Sequence, residues 1–257
     1  MSARVMNRLA ALCVALALLL IAGGALSRLA KQPKFQLKRI DVRGDLRHVT
    51  AVSVRAALAG RLRGNYFTMR LEDTRRLFET VPWVAQASVR RVWPDRLLVT
   101  LIEHRALGVW ADGRLLSDRG ELFVANPDEA EIYGALPEFS GPDVAARDAA
   151  RRYYELSAQF AALSLRIDAI DISDRKAWSL RVSDESKVAT TSRIELGRDS
   201  TAAPLLQRVT QIITAYPLVI AQFGGAPARI DARYANGLAA SLAAKPLATK
   251  SERTARP

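Results

Sequence analysis

Apolar and polar residues change rhythm along this chain, and the changes divide it. From Leu9 to Leu26 the run LAALCVALALLLIAGGAL carries no polar residue over 18 positions. Past Lys34 the rhythm alternates. FQLKRIDVRG reads as a strand ended by Gly44. Thr50 stands as N-cap before AVSVRAALAGRLRG, where Val52, Val54, Ala57, Leu58 and Leu62 recur at helical spacing and Gly64 closes the element. RLEDTRRLFETV places Leu71, Thr74, Leu77 and Phe78 on one stripe, and Pro82 stops it. Two period-two segments follow, joined at Trp93-Pro94-Asp95. In the first, Ala87, Val89, Arg91 and Trp93 share a face; in the second, Leu97, Val99, Leu101 and Glu103 do. Trp83 and Trp93 are expected beneath the helices. Strand, two helices and hairpin make a small α+β unit with the helices on one side of a sheet.

The second half repeats the alternation with different punctuation. LGVWADGRLLSDRGELFVAN reads as a meander turning at Asp112-Gly113 and Arg119-Gly120. An amphipathic helix over residues 143–164 is expected to bury Tyr153, Leu156, Phe160 and Leu163. IDAIDIS, AWSLRVS and SRIELG are strand candidates, with Trp178 assigned to the core. A long helix over Ala203 to Gln222 is expected, capped by Ser200 or Thr201 with Pro204 in its first turn; Pro217 should kink or end it. In ARIDARYANGLAAS, Ile230, Ala232 and Tyr234 alternate with Asp231, Arg233 and Ala235, which predicts a final strand at a sheet edge. The basic tail after it is expected to be disordered.

The early apolar run, as a helix at about 1.5 Å per residue, reaches roughly 27 Å against the ~30 Å of a bilayer's hydrocarbon. It exceeds the usual apolar length of a cleaved signal, although Ala22, Gly23, Gly24 and Ala25 supply small residues for a cleavage site. The run is expected to be an uncleaved anchor with the body outside the membrane. A literal positive-inside count opposes this, because Arg28, Lys31, Lys34, Lys38 and Arg39 outnumber Arg4 and Arg8.

Composition excludes more than it assigns. One cysteine, Cys13, and two histidines, His48 and His104, cannot form an intramolecular disulfide or a cysteine/histidine metal cluster. A net charge of +12 would suit nucleic acid, an anionic surface or an acidic partner. The cations are dispersed, however, and are not interleaved with aromatics as a single-strand platform requires. Glu103-His104 adjoins a carboxylate and an imidazole, but strand neighbours point to opposite faces, so the pair reads as exposed strand ends. Arg90 and Arg91 likewise point apart and read as a solvated face. The chain has no G-x-S-x-G, P-loop, Rossmann fingerprint or H-E-x-x-H, so no cofactor and no enzymatic activity are expected. Two other readings stand as rivals: a wall-modifying enzyme of the envelope and a basic nucleic-acid-binding protein.

The pattern VPWV…A.V.R.WP..L.V.L.E over Val81 to Glu103, followed by Trp110, resembles the POTRA domain of the bacterial FtsQ/DivIB division family. The likeness continues in GRLLSDRGELF, LPEFSGP, KAW.L, IELGR and IDARYANGLA, each weak alone but in the family's order. It implies an α+β protein with a cytoplasmic tail over residues 1–8, a single transmembrane helix over 9–26 and a linker over 27–34. A POTRA domain over 35–105, a mixed β domain with a long helix and an exposed edge strand over 106–242, and a disordered tail over 243–257 follow. It also implies a periplasmic, non-enzymatic scaffold at the division septum that binds FtsB and FtsL and supports septal peptidoglycan synthesis. FtsB would add a strand along the last strands, with Arg233 and Tyr234 as contacts and Asn236 and Gly237 in support. Arg175 and Lys176 match a basic pair that would meet acidic side chains of the partner. Two features depart from the family pattern: the short tail, and the long SDESKVATTS segment over Ser183 to Ser192.

Overall fold

Apolar side chains that find no partner in their own chain remain exposed, and the first helix keeps them so. In the computed structural model, which describes residues 3–30, 35–62, 64–132, 134–184, 191–200, 204–234 and 237–242, α1 runs continuously from Ala3 to Ala30. Leu12, Val14, Leu16, Leu18, Leu19, Leu20 and Ile21 lie around it with 59 to 70% of their surface exposed. Among the described residues, no helix is long and apolar enough to cross a membrane; the described side chains of α1 are residues 11–25 and Arg28. The first half of the expected linker is therefore helical. Residues 31–34, the segment 185–190, Asn236 and the tail 243–257 lie outside the described residues.

The chain divides into two compact units, Met1–His104 and Arg105–Pro257. The first contains β1 (Arg39–Arg43), α2 (Ala51–Leu58), α3 (Leu71–Phe78), β2 (Val84–Val92) and β3 (Arg96–Glu103), in the expected order. Its sheet runs β1-β3-β2, with β1 parallel to the central β3 and β2 antiparallel to it. Thr50 caps α2 as expected: its hydroxyl accepts the Ser53 N–H at 3.1 Å and the Ser53 hydroxyl accepts the Thr50 N–H at 3.0 Å. The helix is shorter than its spacing suggested. It stops at Leu58, Gly60 turns the chain at φ +69°, and Val54 and Leu58 face the core while Val52 is 72% exposed. Phe78, Leu97, Val99 and Leu101 fill the core with Trp83. Trp93 does not. It lies past the end of β2, in the turn, where the alternation no longer governs it, and 63% of its surface is exposed.

Glu103 overturns the expectation of an exposed strand end. Its carboxylate, 8% exposed, accepts the backbone N–H groups of Arg47 at 3.1 Å, His48 at 3.1 Å and Val49 at 2.7 Å. The His48 ring brings Nδ1 to 3.2 Å from the same carboxylate and stacks on Trp83 with centroids 3.9 Å apart. Burial pushes the carboxyl's pKa up, but the three peptide donors and His48 outweigh it and hold it below the ordinary carboxylate value.

The second unit is built on a nine-stranded sheet. Its elements are β4 (Ala106–Trp110), β5 (Leu115–Ser117), β6 (Leu122–Phe123), α4 (Pro127–Glu131), β7 (Glu138–Ser140), α5 (Ala146–Phe160), β8 (Leu165–Ile172), β9 (Ala177–Asp184), β10 (Thr191–Arg198), α6 (Leu205–Phe223), β11 (Arg229–Asp231) and β12 (Ala239–Ser241). The strand order is β12-β11-β10-β9-β8-β7-β4-β5-β6. Leu156 and Phe160 of α5, and Leu205, Val209, Ile212 and Tyr216 of α6, are buried in one core with Ile167, Ile170, Trp178, Leu180, Val182 and Ile194 of the sheet. Tyr153 and Leu163 pack at its margin. Pro217 does not end α6, which continues to Phe223; the proline is on the exposed side, where no core contact depends on the lost N–H.

The carboxylate bonds of Glu103 predict a measurable acid sensitivity. At neutral pH, Glu103→Gln should lower unfolding stability by roughly 1–3 kcal/mol, the cost of leaving buried donors poorly paired. Because the folded-state pKa is depressed, this stability is present above the unfolded-state value of about 4.3 and is lost as pH falls through the folded-state value. Urea unfolding of wild type and variant should therefore differ at pH 7 and converge in acid; a constant difference would assign Glu103 a packing role only.

Candidate functional site

Arg233 and Tyr234, expected at the carboxyl-terminal edge, lie just past the point where β10 and β11 end. β11 pairs parallel to β10, with Ile194 opposite Ile230 and Glu195 opposite Asp231. One more bond, Ala232 N–H to the Glu195 carbonyl at 2.9 Å, extends the pairing before it breaks. The expected strand through Tyr234 ends here because Asp231 turns the chain. Its Oδ1 accepts the Arg233 backbone N–H at 3.1 Å, and its carboxylate also takes Arg233 Nε at 2.9 Å and Nη2 at 2.6 Å. An aspartate that accepts the N–H two residues on makes a local turn. Hydrogen bonding between the two side chains holds Asp231 below its ordinary pKa and Arg233 above its own.

Arg233 and Tyr234 therefore lie in the connection between β11 and β12. Both are exposed, and 59% of the Tyr234 surface is accessible. Gly237 is exposed with open space around it, and Asn236 lies outside the described residues. The edge is β12, which pairs antiparallel to β11 with Ile230 opposite Ala240. The edge-strand expectation is corrected in position: the strand containing Ile230 is covered, and Ala239–Ser241 takes its place.

Arg175 and Lys176 stand in the β8–β9 turn, both exposed, with Lys176 N–H donating to the Ser173 carbonyl at 2.8 Å and φ +58° at Lys176. The register sets them at the same end of the sheet as Arg233. Gly197 lies opposite Trp178 and Arg198 opposite Ala177, so the turn precedes β9 where β10 finishes. At about 4.8 Å per strand, β9 and β11 are separated by roughly 10 Å.

Residues that sequence reasoning did not single out hold this end together. Gly197 sits in a bulge of β10 at φ +72°, and a Cβ there would meet Arg233 Cγ at 3.1 Å and Arg208 Nη1 at 3.2 Å. Arg208, buried in α6, donates from Nη2 to the Arg198 carbonyl. Burial pushes its pKa down, and the nearby Asp199 charge opposes this. Asp199 in turn accepts Arg152 Nη2 at 2.6 Å and the Leu205 N–H at 2.9 Å, joining β10 to both long helices. An aspartate two positions before an arginine, and a glycine inside a strand pattern, were the available signals.

β12 is an unguarded edge. Leu238-Ala239-Ala240-Ser241-Leu242 carries neither charge nor proline, the usual devices that discourage pairing with another chain. The opposite edge, β6, has only two residues. Among the described residues no group of three His, Cys, Asp or Glu side chains is arranged to hold a metal ion.

Comparison with known proteins adds to this geometry. Residues 35–104 match the POTRA domain of FtsQ type, and residues 108–233 match the carboxyl-terminal domain of the cell division protein FtsQ/DivIB. The chain is 39% identical to the cell division protein FtsQ of Burkholderia pseudomallei over 92% of its own length and 91% of that protein's. It is 34% identical to the FtsQ of Bordetella pertussis over 93% and 90%. It is 32% identical to the FtsQ of Nitrosospira multiformis over 81% and 84%.

The support of Arg233 by Gly197 is testable in the isolated protein. Gly197→Ala forces a left-handed conformation on a residue with a Cβ and crowds Arg233, so stability should fall by about 1–3 kcal/mol in urea unfolding. A neutral result would show that β10 relaxes without using this bulge.

Proposed function

The chain belongs to the FtsQ/DivIB family of cell division proteins, and from that premise we propose that it is a single-pass scaffold of the division machinery in the inner membrane. α1 is its anchor, type II in orientation, and both soluble units stand in the periplasm at the septum. The apolar surface that α1 exposes on every side supports this reading: it suits contact with lipid better than contact with water. The POTRA unit lies next to the membrane in sequence, and the second unit receives partners. The scaffold thereby links early division proteins to late ones and supports septal peptidoglycan synthesis.

The observation that carries the partner site is the unguarded edge at β12, flanked by an exposed tyrosine. A partner strand, assigned to FtsB with FtsL in the same assembly, pairs with the free backbone groups of β12. Tyr234 provides a broad, rigid contact area beside it. Arg175 and Lys176 meet acidic side chains of the partner, and Arg233 contributes by exchanging part of its bonding with Asp231. Gly237 and Asn236 are assigned to the same contact in support of Tyr234. Function by binding needs no cofactor.

Tyr234→Ala should weaken capture of the periplasmic segment of FtsB by about thirtyfold, the equivalent of roughly 2 kcal/mol for an interface hot spot. Thermal unfolding should be unchanged, because the ring is largely exposed. Unaltered affinity in a calorimetric titration would move the contact surface elsewhere.

A further inference from the structure

One surface feature of the first unit is left unused by partner binding at β12. Phe35, Tyr66, Phe67 and Trp93 form a continuous aromatic chain on the POTRA unit. Ring centroids are 5.0 Å apart for Phe35–Phe67, 5.2 Å for Tyr66–Phe67 and 5.6 Å for Tyr66–Trp93. The Phe35 carbonyl accepts the Tyr66 N–H at 2.9 Å, which fixes the start of the domain into the cluster. The cluster is not core: 49% of Phe67 and 63% of Trp93 are exposed. Phe67 and Trp93, joined through Tyr66, make an exposed aromatic patch, and such patches mark interaction sites where scattered single residues do not.

Topology places this cluster at the end of the sheet where the chain arrives. β1 is parallel to β3 with Arg39 opposite Arg96, so the start of β1 and the Trp93–Asp95 turn lie at one end. Lys38 confirms the proximity through its N–H to the Asp95 carbonyl at 2.9 Å and its Nζ to the Asp95 carboxylate at 3.3 Å. Glu103 and the exit to the second unit lie at the other end of β3. Only five Cα steps separate Ala30, the last residue of α1, from Phe35, a reach of at most about 18 Å. The sequence from Arg28 to Arg39 holds five cations, with Lys31, Lys34 and Lys38 between α1 and β1; of these, Lys38 and Arg39 are described on the POTRA unit and both are exposed.

We propose that this aromatic face docks on the surface of the membrane that holds α1, with Trp93 and Phe67 seated at headgroup level and the exposed Lys38 and Arg39 on anionic phosphates. Amphipathic rings favour the boundary between hydrocarbon and water, and basic residues next to a span favour anionic lipid. The inference rests on the reading of α1 as an anchor. Docking fixes the POTRA unit against the bilayer.

The distribution of tryptophan makes the idea testable in the full chain. Of its four tryptophans, Trp83, Trp110 and Trp178 are buried at 3, 3 and 6% exposure and Trp93 alone is exposed, at 63%. The chain is reconstituted in phosphatidylcholine–phosphatidylglycerol vesicles whose acyl chains carry bromine just below the headgroup. Docking predicts a loss of about a quarter of the emission relative to unbrominated vesicles, since an interfacial ring lies within contact of the bromines. The loss should vanish in Trp93→Phe, with iodide in the aqueous phase unable to reach Trp93 in the wild type. A chain that floats with the vesicles but shows full iodide access and no bromine quenching overturns docking while leaving the anchor intact. Protection from iodide without bromine quenching assigns the face to a protein and also overturns it. A chain that does not float overturns the anchor, and docking falls with it.

Discussion

A single carboxylate sets the geometry of the first unit. Glu103 ends the central strand β3, and three successive peptide N–H groups, from Arg47, His48 and Val49, converge on it. A buried carboxylate without donors would be expensive, and a loop with three unpaired N–H groups would be too; each makes the other tolerable. The consequences spread from there. The loop is fixed one residue before Thr50, so the capping box of α2 is placed with it. His48 is turned onto the face of Trp83, which closes the space below the helices. The exit end of the sheet is satisfied internally, and the arrival end keeps exposed aromatic rings. One domain thus presents two ends of different chemistry.

The sheet edges show a comparable division. β2 is the longest edge strand at nine residues, and it carries Arg90 and Arg91. Arg90 is exposed, whereas Arg91 is half-buried and donates Nη2 to the Met69 carbonyl at 2.5 Å, so the pair is only partly the solvated face that alternation suggested. Charge on an edge discourages pairing with a second chain. β12 has no such protection, although it is only three residues long. An unprotected strand of that length gives few backbone bonds by itself, so strand addition there depends on what flanks it.

How much of this was legible in the sequence depended on whether the controlling contact was local. Period-two patterning located β2, β3, β8, β9 and β10, and Thr50 gave the start of α2, because burial on one face and capping are determined within a few residues. Trp93 departs from its expected core position because the alternation ends at Val92, one residue before it, and a turn begins. Glu103 and His104 invited pairing because they are neighbours, yet the imidazole that meets Glu103 belongs to His48, 55 positions away. β12 was absorbed into a longer strand because Ala-Ala-Ser has little strand preference of its own and forms by pairing with β11. Arg175, Lys176 and Arg233 were identified one by one; their common location follows from the register of β9, β10 and β11, which no local pattern contains.

On the proposed reading, the division of labour at the edge follows from physical chemistry. Backbone pairing along β12 is indifferent to the partner's side chains and so contributes affinity without choosing a partner. Choice has to come from groups beside the strand. Tyr234 offers area, while Arg175 and Lys176 offer charge from a turn held in place by Ser173. Arg233 is the instructive case. In the free chain Asp231 already satisfies its guanidinium, so a partner carboxylate gains only the difference between two similar ion pairs, one of them exposed. Its larger part is structural: together with Asp231 it turns the chain out of β11, and its stem crosses Gly197. That turn is what brings Tyr234 to the surface and returns the chain as β12, so Arg233 acts on recognition mainly by building the edge and its flank.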